Sequence, residues 1–87
     1  MEEMEHYNRC VEQEDRYDEQ LDTLESCQYA IFDHIYRYGE RFDKLAVENV
    51  LIAIHQLEDA VRLELLHVRL EKAYLAYGLK PNKPKAD

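Results

Sequence analysis

The sequence predicts an all-α fold, a long antiparallel helical hairpin, from three observations. Turn residues are scarce, the glycines fall at two evenly spaced points, and apolar side chains recur every seven residues. Two glycines and two prolines among 87 residues leave a β-fold, which needs a turn every ten residues or so, with nothing to turn on. A chain of this length holds one small domain and excludes most enzyme scaffolds.

Tyr38-Gly39 and Tyr77-Gly78 each close a run of 38 residues that contains neither Gly nor Pro. Each glycine is expected at the C′ position of a helix, where a residue of left-handed conformation ends it. The expected helices are therefore about 3–38 and 41–77, within a single helical domain spanning 1–79. Residues 80–87 carry Pro81, Pro84 and three lysines and are expected to form a short basic tail with little to bury.

In the first segment Cys10, Tyr17, Leu24, Ile31 and Tyr38 form one column of a heptad repeat, and Tyr7, Glu14, Leu21, Gln28 and Ile35 form the other. That is a coiled-coil seam with two polar lapses, Glu14 and Gln28. Positions 4–38 hold 15 apolar residues, about what one buried stripe requires, so the opposite face should be wet.

The second segment holds 22 apolar residues between Phe42 and Tyr77, more than one neighbouring helix can cover. One stripe runs through Val47, Val50, Ile54, Leu57, Val61, Leu65 and Val68. A second, turned well away at 100° per residue, runs through Leu63, Leu66, Leu70, Ala73 and Tyr77. The surplus stripe predicts a homodimer in which two hairpins form a four-helix bundle, with Leu63, Leu66, Leu70 and Tyr77 at the dimer or partner interface. The alternative is a three-helix bundle broken near residue 22, where Asp22 and Glu25 have capping-box spacing and Leu24 restarts the apolar pattern.

The net charge of −8 is unevenly spread: residues 1–33 carry eleven acids against Arg9 and Arg16, and the rest of the chain sums to +1. Direct binding to nucleic acid or an anionic membrane is excluded on this balance, because phosphate recognition needs clustered Lys and Arg. The longest aliphatic run, Val50 to Ile54, is five residues, where a membrane span needs about 20. Met1 is followed by Glu2, Glu3 and Glu5 where a secretion signal would carry positive charge, so a cytoplasmic location is expected, the host cytoplasm if the chain is phage-encoded. Cys10 and Cys27 lie too far apart on one helix to pair and are expected as reduced thiols, Cys27 half-buried beside Gln28.

No enzymatic function, catalytic residue, cofactor or metal centre is expected. Glu64–His67 and Glu3–His6 have the Glu-x-x-His spacing of carboxylate-bridged di-metal bundles, but no lone inward Glu from two further helices completes the set, and His67 is expected at the surface. Arg62 and His67 share a spacing with HEPN ribonucleases, yet five residues on a regular helix turn the two side chains about 140° apart. Ser26, Thr23 and Cys27 have no histidine one turn away with which to build a nucleophile.

The unusual feature is the crowding of Glu12, Asp15, Asp18, Glu19, Asp22 and Glu25 within 14 positions, with Arg16 as the one cation among them. Like charges at i and i+4 cost a few tenths of a kcal/mol per pair, and Glu14/Asp18, Asp15/Glu19 and Asp18/Asp22 are unrelieved in the sequence, whereas Glu12 has Arg16. Carboxylates one turn apart are about 5 to 6 Å from each other, comparable with successive backbone phosphates, so this face suits a basic groove built for nucleic acid. Tyr29, off the heptad repeat, is expected to add an anchoring contact.

The expected function is therefore a non-enzymatic protein-binding module, an acidic inhibitor or regulator that occupies a basic surface of a partner protein. In size and charge the chain is similar to phage and mobile-element anti-defence proteins such as anti-CRISPRs, and this similarity rests on no motif. The second expectation is a structural or assembly module that acts by self-association or apolar helix docking through residues 42–77, with the acids serving solubility.

Overall fold

The computed structural model describes residues 2–79; the expected basic tail, 80–87, lies outside them. Two helices, α1 (Glu2–Tyr38) and α2 (Lys44–Leu79), are joined by a 3-10 turn, Gly39–Arg41, and pack against each other along their length. Among the described residues there is no strand, and only Phe42 and Asp43 lie outside a helix. The molecule is a rod, 64 × 26 × 16 Å, with a radius of gyration of 19.7 Å. A compact chain of this length would have about 12 Å.

Helix α1 runs unbroken through Asp22 and Thr23, which removes the break on which the three-helix alternative depended. Asp22 and Glu25 have capping spacing, but a cap forms only where the preceding turn is absent, and here the i→i−4 ladder continues on both sides. Glu2, Glu3 and Glu5 in the first turn and Arg37 in the last complement the helix dipole.

Helix α1 ends at Tyr38, as expected, whereas the start of α2 differs from expectation for a local reason. Asp43 Oδ1 accepts hydrogen bonds from the backbone N–H of Leu45 (2.9 Å) and Ala46 (3.2 Å), so Asp43 is the N-cap and α2 starts at Lys44, not 41. Neither glycine has positive φ. Gly39 opens the 3-10 turn, which the Phe42 N–H closes onto the Gly39 carbonyl at 3.3 Å, and Gly78 sits inside the last turn of α2. His34 packs on both Tyr38 and Phe42 with ring centroids 5.1 Å apart, and Arg41 lies over the Tyr38 ring. This aromatic cluster, more than glycine geometry, folds the chain back.

The seam follows the heptad. On α1 the residues Tyr7, Cys10, Glu14, Tyr17, Leu21, Leu24, Gln28, Ile31 and Ile35 are all buried or half-buried; Tyr38, the last of its column, is exposed. On α2 the covered positions are Val47, Leu51, Ile54, Glu58, Val61, Leu65, Val68, Lys72, Leu75 and Leu79, a strict alternation of three- and four-residue steps. The expected stripe placed Val50 and Leu57 inside; both are exposed, and Leu51 and Glu58 take the seam. Counting only apolar residues moved the stripe away from Glu58, whose charge is accommodated here by Gln28.

Buried apolar side chains are few: Cys10, Ile54, Leu65 and Val68 among the described residues, of which only Cys10 is fully buried. The core is one layer deep, as two helices alone must make it.

Candidate functional site

Three surfaces have chemistry that the hairpin itself does not consume: the outward side of α1, the outward side of α2, and the open end where His6 meets Glu71.

On α1, Glu12, Asp15, Glu19, Asp22 and Glu25 are exposed, and none makes an ion pair among the described residues. Arg16 does not reach Glu12, so the one relief expected within this face is not formed. Asp15, Asp22, Tyr29 and Tyr36 recur every seven residues and so share a column. Tyr29 is 69% and Tyr36 91% exposed. Tyr36 extends the column by one heptad; its seven-residue spacing from Tyr29 could have identified it in the sequence.

Two carboxylates counted as unrelieved turn inward or sideways instead. Glu14 lies at the seam, where its Oε1 accepts from Lys72 Nζ at 2.6 Å and its Oε2 from Arg69 Nε at 3.0 Å. Asp18 reaches Arg69 Nη2 at 3.6 Å, so of the six acids expected to bind a partner it is the one already engaged by α2. The Lys72 hydrogen bond, then the Arg69 one, hold the Glu14 carboxyl below its ordinary range, against the opposing effect of burial. In return Glu14 raises the Lys72 ammonium above its usual value.

No family model, curated protein or solved structure matches this chain.

On α2, Leu63, Leu66, Leu70 and Tyr77 are about half exposed, and Tyr74, which lies among them, is more so. These residues lie on the side away from α1, with Ala60 and Ala73 between them also exposed. Nearer the turn, Val50 flanks the seam and lines an apolar groove with Ala30, Ile31, His34, Phe42 and Ala46, and Leu57 lines a second with Leu24 and Val61. His67 is exposed, as expected, and Arg62 is engaged by Asp59 at 3.4 Å one turn away.

At the open end, His6 Nε2 lies 2.8 Å from a Glu71 carboxylate oxygen. Cys10, one turn further along α1, is 1% exposed, and its thiol is pushed up by burial and then by the Glu71 charge, against the pull of Arg9 and Lys72. Cys27 is exposed rather than half-buried, because it falls on the flank one position before Gln28. Both cysteines are free.

Proposed function

We propose that this chain is a non-enzymatic protein-binding module, an acidic inhibitor or regulator whose α1 face occupies a basic, nucleic-acid-binding surface of a partner protein while its hairpins pair through α2. One observation carries the reading. The two helices turn opposite chemistries outward, carboxylates with Tyr29 and Tyr36 on α1 and Leu63, Leu66 and Leu70 with Tyr74 on α2, and these side chains lie off the seam.

The acidic side has a charge density that the fold tolerates at a cost. Asp15/Glu19 remains an uncompensated i,i+4 pair, and Asp22 has no cation to relieve it, so each is destabilising by a few tenths of a kcal/mol. Exposed Tyr29 and Tyr36 in line with Asp15 and Asp22 add the amphipathic contact area that interfaces favour. The basic partner surface is then one that a phosphate backbone would otherwise fill, as anti-defence proteins such as anti-CRISPRs fill theirs.

The assembly reading is favoured by area. The chain exposes 7370 Å², whereas a compact monomer of 10.4 kDa exposes about 5,400 Å². The difference, about 2,000 Å² per chain, is the size of a permanent subunit interface. Pairing through Leu63, Leu66 and Leu70 covers the largest exposed leucine cluster and produces a four-helix bundle with the acids outward.

The deciding experiment is capture of partners from cell lysate at low and high salt, with two variant sets. Under the inhibitor reading, reversing Asp15, Glu19 and Asp22 abolishes capture and high salt weakens it. Under the assembly reading, polar substitution of Leu63, Leu66 and Leu70 abolishes function while the acidic set is silent. A partner with no basic groove, held equally well at both salt concentrations, sinks the first reading.

A further inference from the structure

We propose that His6, Cys10 and Glu71 form a binding site for a divalent cation of the zinc class, clasping α1 to α2 at the open end of the hairpin. Three donors of different chemistry, an imidazole nitrogen, a thiol sulfur and a carboxylate oxygen, come from two helices and lie within 4.8 Å of one another. It is the one such grouping of three among the described residues.

The arrangement follows from the fold. His6 and Cys10 are spaced i,i+4, so they stand on one side of α1, one turn apart. Cys10 occupies a seam position and its sulfur faces α2; His6 lies on the flank, where Glu71 approaches from the opposite helix. The sulfur is buried, and the imidazole and carboxylate beside it are half exposed. Three protein donors leave the fourth position of a tetrahedral zinc to water.

The donor set selects the metal. Nitrogen, sulfur and a single carboxylate suit borderline-soft zinc; magnesium and calcium require several oxygens, and no other carboxylate joins the group. In a tetrahedral zinc site, bonds of about 2.0–2.3 Å place donors about 3.4–3.6 Å from each other. The 2.8 Å separation of His6 and Glu71 opens by about 0.6 Å, and the wider spread, at most 4.8 Å, closes by up to about 1.4 Å, within the reach of side-chain torsions. A thiolate and a carboxylate together neutralise the ion. Lys72, the nearby ammonium, is tied to Glu14 at 2.6 Å.

A clasp here has a clear physical effect. The open end carries both outer termini of the helices, where fraying begins, and a small domain with a one-layer core gains more than most from a metal staple. Because the site requires both helices in register, the ion binds the folded hairpin and raises its melting temperature by mass action.

The test uses the full chain in a Cys27→Ser background, which removes the exposed second thiol, stripped with chelator and titrated with cobalt(II) and then zinc. The expected result is one cobalt per chain with a thiolate-to-cobalt charge-transfer band and the strong visible bands of four-coordination, displaced by zinc, and a melting temperature that rises with zinc. Cys10→Ala removes the charge-transfer band. His6→Gln, a substitution at a half-exposed position that leaves the seam untouched, and Glu71→Gln each weaken binding by about ten-fold or more. No cobalt bound at micromolar concentrations, a cobalt spectrum lacking the thiolate band, or binding unchanged in His6→Gln and Cys10→Ala would each overturn the proposal.

Discussion

The side-chain amide of Gln28 donates to the Glu58 carboxylate across the seam at 3.0 Å, and Glu58 is only 4% exposed. These are two of the four polar residues at the seam, and they meet across it as Glu14 and Lys72 do. Gln28→Leu should leave the buried Glu58 without its amide and destabilise the hairpin by about 1–3 kcal/mol. The double variant Gln28→Leu/Glu58→Leu should recover most of that loss or exceed the parent. Denaturant midpoints of the two single variants and the double variant check this; a double variant weaker than both singles refutes it.

Glu14 gives the fold a pH dependence of definite sign. Its carboxyl is held below the ordinary value near 4.5, so the folded state binds the proton less readily than the unfolded chain does. The contribution is complete above that ordinary value and is lost as pH falls through the lower folded one. The melting temperature should therefore drop as pH is lowered from about 4.5, and Glu14→Gln should lower it at neutral pH while flattening the acid limb. Thermal melts of parent and variant between neutral and strongly acid pH provide the comparison.

The uncovered leucines make a prediction about mass. Light scattering at tens of micromolar should return twice 10.4 kDa, and the melting temperature should rise with concentration. Leu63→Glu with Leu70→Glu should yield monomers and remove that concentration dependence. A parent chain of monomer mass with a concentration-independent melt refutes pairing through α2.

Charge reversal on α1 should separate function from folding. Asp15→Lys, Glu19→Lys and Asp22→Lys lie on the exposed side, clear of Glu14 and the seam. Helical content should be retained, as judged by circular dichroism, with stability within about 0.5 kcal/mol of the parent. Partner capture should be lost under the same conditions.

The glycines should prove replaceable. Neither has positive φ. A Cβ at Gly39 would meet Ile35 Cγ2 at an ordinary 3.5 Å, and one at Gly78 would meet nothing within 4 Å. Gly78→Ala should stabilise by up to about 1 kcal/mol, since it restores helix propensity in the last turn of α2. Gly39→Ala should be tolerated; a loss of folding there would mean that the turn requires a conformation other than the one observed.

The sequence by itself determined the helices, the hairpin and the whole seam of α1 up to Ile35, because a heptad repeat free of Gly and Pro is a one-dimensional signal carried by local periodicity. It also located the exposed acids of α1 and the exposed leucines at 63, 66 and 70, but it drew the inward stripe of α2 through Val50 and Leu57 where the structure has Leu51 and Glu58. The pairing across the seam was decided only in three dimensions. Glu58 is indistinguishable in sequence from a surface acid, and its burial depends on Gln28 lying 30 residues away in the chain. Glu14 appeared as an unrelieved charge until Lys72 and Arg69 were brought beside it, and His6, Cys10 and Glu71 became neighbours only through the antiparallel packing of α1 on α2. Periodicity fixes which face of a helix is inward; which residue it meets there depends on the register between the helices, set by the Asp43 cap and the aromatic turn.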